Sequence, residues 1–189
     1  MCNKTFAVIG LVLVLGFSLA AQQTPPDKSK RPSPPGTADC KYADGKTIHI
    51  DYSRPSVKGR KIYGGLVPYG KVWRTGANEA TTFVTDTDVT INGTAVPKGS
   101  YTIFTEPAES PAKWKLIINK ATGEWGVGKE GDYPYQATEL GRVEMNATTA
   151  LDAPVEQFTI SLPNKGGDTC TLQLDWEKTR ASVDVKEKK

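Results

Sequence analysis

From Thr47 onward, apolar and polar residues alternate over short runs separated by turn residues, and this period of two limits the fold more than any other feature. In KTIHIDYS, Ile48, Ile50 and Tyr52 fall on one face and His49 and Asp51 on the other, because successive strand side chains point to opposite sides. DVTINGTAV holds Asn92-Gly93 between two short runs, a strong signal for a two-residue hairpin turn. PKGSYTIFTEP opens with a turn at Pro97 to Gly99 and then sets Tyr101 and Ile103 against Thr102 and Phe104. KWKLIINK alternates Trp114, Leu116 and Ile118 with Lys113, Lys115 and Ile117. In TCTLQLDWEKTRASVDV, Cys170, Leu172, Leu174 and Trp176 share a face, which points Cys170 inward. Outside the N-terminal leader no apolar set recurs at helical spacing, and only a short helix near Ala137 to Leu140 is expected. The pattern predicts a single all-β domain, an antiparallel β-sandwich or flattened barrel of about eight to ten strands.

The chain opens MCNKTFAVIGLVLVLGFSLAAQQ, with Lys4, an apolar run from Phe6 to Leu19, and small residues at Ser18 and Ala20. Residues 1–20 therefore read as a secretory signal peptide. The run is shorter than the roughly 20 residues that cross a bilayer, so the mature chain is expected to be periplasmic or secreted, with no membrane anchor. Residues 21–39 carry Pro25, Pro26, Pro32, Pro34 and Pro35 and little to bury, and read as a Pro-rich disordered linker. Residues 40–186 make the domain and 187–189 a charged tail. Loss of the leader removes Cys2, and in an oxidising compartment Cys40 and Cys170 are expected to form a disulfide.

Several chemistries are excluded cheaply. The formal net charge of +3, one unit of it from Lys4, is too small for a nucleic-acid footprint. His49 is the only histidine, it lies mid-strand, and no GxSxG elbow accompanies it, which removes a Ser-His-Asp nucleophile. No CxxC, second histidine or phosphate loop points to a metal or cofactor. Carboxylates remain, so a glycosidase-like hydrolase using Glu79 with Asp51 or Asp86 stays open as an alternative. Trp114 and Trp176 alternate with apolar partners and belong in the core. Trp125, in ATGEWGVGKEGDYPY, is either an exposed stacking platform or a lid folded back on the sandwich.

The stretch SRPSVKGRKIYGGLVPYGKVWRTGANEATTF fits neither strand nor helix. Gly64, Gly65, Gly70 and Gly76 permit tight reversals, and Pro55 and Pro68 keep the segment out of a ladder. Two readings stand. In one, Trp73 plugs an end of the sandwich and Arg74 pairs with Glu79, so the loop holds its own shape. In the other, Arg60 and Arg74 bind an anionic or sugar group, Trp73 or Trp125 stacks on it, and Asn78 and Glu79 orient it. The candidate ligand-binding residues are thus Arg60, Trp73, Arg74, Asn78, Glu79 and Trp125.

This stretch, with the Pro97 to Tyr101 turn, the Trp114 strand, Glu124-Trp125-Gly126 and Trp176-Glu177, resembles a bacterial family of exported proteins catalogued as domain of unknown function 2911. The likeness runs from about Cys40 to Val185 and is most specific at WRTGANEAT. It implies export and one all-β domain, and supplies no catalytic residue. The expected function is a non-catalytic binding module for a small polar or carbohydrate-like (glycan) ligand or an envelope protein, with a structural envelope role as a further alternative.

Overall fold

The computed structural model describes residues 27–110, 112–128 and 132–189. The leader, residues 1–20, and the first residues of the expected linker lie outside them. Twelve strands follow one another: β1 (Pro35–Lys41), β2 (Thr47–Ser53), β3 (Thr81–Thr85), β4 (Val89–Ile91), β5 (Thr94–Val96), β6 (Gly99–Glu106), β7 (Trp114–Asn119), β8 (Glu139–Thr148), β9 (Val155–Ser161), β10 (Asn164–Gly166), β11 (Thr169–Glu177) and β12 (Thr179–Glu187). Among the described residues the only helices are single 3₁₀ turns at Lys28–Lys30 and Gln136–Thr138. The second stands at the start of the expected short helix. The strand count exceeds the expected range because three strands, β4, β5 and β10, are only three residues long.

The strands pair in the order β1-β2-β3-β6-β7-β8-β12-β11-β10, with β4 added to β12, β5 to β4, and β9 to β11. Strand β8 turns the corner: its first part pairs with β7, and Asn146 to Thr148 pair with β12. The path thus folds into two facing layers. Asn92 and Gly93 both take the left-handed conformation, at φ 43° and 83°, as the β4–β5 hairpin turn requires.

Ile48, Ile50, Leu116, Ile118, Leu172 and Leu174 meet between the layers, each at most 1 % exposed. The layers are tied where β1 faces β9 and β11. Cys40 and Cys170 form a disulfide there, and the Tyr52 hydroxyl accepts from Ile160 N at 2.9 Å. A second, smaller cluster lies on the outer face of β6 and β7. The segment after β7 folds back so that Tyr133 and Tyr135 cover Phe104 and Ile117.

Two boundaries differ from the sequence reading. Strand β1 begins at Pro35, inside the stretch read as linker, and pairs with β2 along its whole length. Glu187, read as tail, ends β12, and its buried carboxylate accepts from Lys46 at 3.0 Å.

Candidate functional site

The segment between β2 and β3 builds the candidate site. Trp73 joins the end of β6, exchanging backbone hydrogen bonds with Thr105 at 2.7 and 2.9 Å, so its indole turns into the domain. It is 9 % exposed, stacks on Trp176 at 5.7 Å between centroids, and donates Nε1–H to Gly76 O. Its face is already covered, which removes Trp73 as a stacking platform and makes it part of a floor.

Beyond Trp73 the chain turns sharply. Thr75 sits at φ 56° with its side chain fully buried, a conformation that costs a β-branched residue about 1–3 kcal/mol unless its surroundings enforce it. Here Thr81 Oγ1 donates to Thr75 O at 2.6 Å, and Thr75 Oγ1 meets Thr105 Oγ1 at 3.1 Å. Gly76 is needed because a Cβ there would lie 2.9 Å from Ser53 O.

Arg74 does not pair with Glu79. Its Nη1 donates to the carbonyls of Asn78 at 2.8 Å and Trp125 at 3.1 Å, and its Nη2 to that of Val127 at 3.0 Å. Gly126 permits this, since a Cβ at that position would stand 2.7 Å from Arg74 Nε. Burial pulls the guanidinium below its ordinary value, with Tyr135 opposing, yet arginine remains charged at such positions. The result is a half-buried cation held by three carbonyls and, among the described residues, no carboxylate.

Glu79 faces the other way. Arg31 Nη1 reaches both its oxygens, at 2.7 and 3.0 Å, and Lys28 Nζ lies at 3.2 Å. Burial acts to raise this carboxyl, but its own backbone N–H, Arg31 and Lys28 outweigh it and hold it at about 2. Asn78, at φ 58°, donates its side-chain amide to Ser33 O at 3.1 Å and Ser53 Oγ at 3.2 Å.

A cleft of about 450 Å³ opens beside Trp73. Val67, Val72, Trp73 and Trp176 give it apolar surface, Ser33 and Asn78 form one polar wall, and Arg60, Lys71 and Arg74 are its cations. Among the described residues, no aspartate or glutamate lines it. Arg60 is fixed by donating to Val57 O at 3.1 Å and Ser56 O at 2.6 Å. Lys71 makes no ion pair with the described residues.

Of the six candidates, the structure therefore brings together Arg60, Trp73, Arg74 and Asn78. Glu79 lies across the Asn78 wall in a separate hollow of about 390 Å³ with Asp51, Glu124 and Lys28. Trp125 lines neither hollow. The residue is 61 % exposed while its carbonyl holds Arg74, and the lid over β6 and β7 is made by Tyr133 and Tyr135 instead.

The hydrolase alternative loses one of its pairs. Asp86 stands at the opposite end of β3 from Glu79, where it accepts from Thr47 N at 2.7 Å and Thr47 Oγ1 at 3.0 Å. Asp51 Oδ2 lies 3.2 Å from His49 Nε2, whose Nδ1 lies 2.6 Å from Asp39. His49 is thus half-exposed on the outer face, as its strand phase predicts. Lys71 and the core residue Trp176 complete the picture with Arg31 and Ser33, which the sequence did not single out. Lys71 adjoins the candidate stretch, whereas Arg31 and Ser33 lie among prolines with no local pattern to mark them.

Among the described residues, no group of three or more His, Cys, Asp and Glu side chains is arranged to hold a metal, and no helix is long and apolar enough to cross a membrane. A family model described as protein of unknown function (DUF2911) matches residues 33–185. No curated protein and no solved structure matches the chain.

Proposed function

The chain belongs to the family of proteins of unknown function DUF2911, and from its cleft we propose that it is an exported, non-catalytic binding module for a small organic anion with an apolar body. The observation that carries this reading is the cleft's charge: among the described residues its lining holds three cations, Arg60, Lys71 and Arg74, and no carboxylate, above an apolar floor. Arg60 and Arg74 give donors to backbone carbonyls, which fix their positions without cancelling their charge. Like charges beside a low-dielectric wall focus the field and concentrate counter-ions. Cations already held in place also lose less freedom when a ligand arrives.

The volume falls in the roughly 300–1,000 Å³ range of small-molecule sites. An anion suits the cleft better than a neutral glycan, because Trp73 has no free face on which a sugar ring could stack. The Cys40–Cys170 disulfide supports an oxidising, exported setting. A Glu79-centred hydrolase is less well supported, since a carboxyl held at about 2 by Arg31 and Lys28 is a poor proton donor at neutral pH.

Calorimetric titration with octanoate and phenyl phosphate tests the reading, with octan-1-ol and inorganic phosphate as controls. Both organic anions should bind more tightly than either control, and Lys71→Ala should weaken them roughly ten-fold at low salt. Equal binding of octanoate and octan-1-ol, or no binding at all, would overturn it.

A further inference from the structure

The residues before β1 are attached to the domain at the cleft's edge. Lys28 and Arg31 hold Glu79, Ser33 O accepts from Asn78 Nδ2, and Pro34 O accepts from Arg54 N at 2.9 Å. These contacts lay residues 27–34 across the Asn78–Glu79 ridge between the two hollows. Ser33 lines the cationic cleft and Lys28 the hollow that holds Glu79. The segment also brings Lys30, whose side chain is 84 % exposed and whose Nζ lies 3.7 Å from Asp27 Oδ2.

From this geometry we propose that residues 27–34 are a working wall of the anion cleft, clamped by Glu79, and that ligand binding and docking of this segment reinforce each other. The proposal rests on the anion-cleft reading above. Its physical basis is shared surface: Ser33 lines the cleft beside Asn78, whose amide donates to the Ser33 carbonyl, and the segment's basic residues add to the potential that draws an anion in. Whatever stabilises the docked segment then raises affinity, and by linkage the ligand stabilises the docked segment to the same degree. Glu79 acts here as a positioning residue, because it touches the segment and lines the other hollow.

The experiment compares wild type, Glu79→Gln and Arg31→Gln as full chains, by hydrogen exchange of residues 28–33 and by calorimetric titration with octanoate. Arg31→Gln breaks the same contact from outside the sheets, so a folding defect at Glu79 cannot mimic the result. Both variants should exchange faster at Lys28 to Ser33 and bind octanoate about five-fold or more weakly. Octanoate should slow exchange of the segment in wild type. If all three proteins bind octanoate equally and their exchange is alike, the coupling is overturned while the cleft reading stands. If wild type does not bind octanoate, both fall.

Discussion

Arg31 and Glu79, far apart in sequence, form a forked ion pair in which one guanidinium nitrogen reaches both carboxylate oxygens, at 2.7 and 3.0 Å. The pair fastens a proline-rich segment to the ridge beside the cationic cleft, and its pH dependence follows from the state of the carboxyl. Glu79 ordinarily titrates near 4.5 and is held at about 2 in the fold. A depressed carboxyl contributes its stabilisation fully above the ordinary value and loses it as pH falls toward the folded one. Hydrogen exchange of residues 28–33, corrected for its intrinsic pH dependence, should therefore be protected at pH 6 and lose that protection between about 4.5 and 2.

Arg74 and Glu79 should respond differently to truncation. Arg74→Ala strips the carbonyls of Asn78, Trp125 and Val127 of a charged donor and should cost about 2–3 kcal/mol. Glu79→Ala removes a partly exposed ion pair and should cost at most about 1 kcal/mol. Urea unfolding of the two variants distinguishes these values.

The Tyr63 hydroxyl is, among the described residues, the one buried side-chain polar atom without a hydrogen-bond partner. Its ring lies 4.8 Å from Trp114 and 6.3 Å from both Trp73 and Trp176. Leaving such a group unpaired costs about 1–3 kcal/mol. Tyr63→Phe should therefore keep or raise the melting temperature; a clear loss would reveal a partner for the hydroxyl.

Cys40 and Cys170 close a loop across 130 residues between β1 and β11. On the chain-entropy account, a closure of that length restricts the unfolded state by about 4–5 kcal/mol. The Cys40→Ala, Cys170→Ala double variant should unfold at markedly lower guanidinium concentration than the oxidised protein. Coincident transitions would contradict this.

What was legible in the sequence was whatever a strand's own alternation dictates. Ile48, Ile50 and Tyr52 face inward, Asn92-Gly93 turns a hairpin, and Trp114 and Trp176 are buried, because these depend on neighbours two residues away. Alternation sets Phe104 and Ile117 opposite Ile103 and Leu116 but does not show that they are buried; their burial depends on Tyr133 and Tyr135 arriving from a loop without a repeating pattern.

The candidate site divides in the same way. Arg60, Trp73, Arg74 and Asn78 converge because the glycine-rich segment folds locally. Arg74's partners were hidden for a chemical reason: every residue carries a carbonyl, so nothing in the sequence marks those of Trp125 and Val127 as acceptors. A nearby glutamate was the obvious partner by sequence, and the fold gave it to Arg31 instead.

Binding of an organic anion in the cleft beside Trp73 can be read residue by residue. In a ¹H–¹⁵N spectrum titrated with octanoate, the amides of Val67, Val72, Ala77 and Gly128 and the Trp73 indole N–H should shift together and saturate. The amides of Asn92, Thr171 and Asp184, which line a polar hollow elsewhere, should stay in place. Shifts confined to that polar hollow, or no saturable shift around Trp73, would show that the cleft does not take an organic anion.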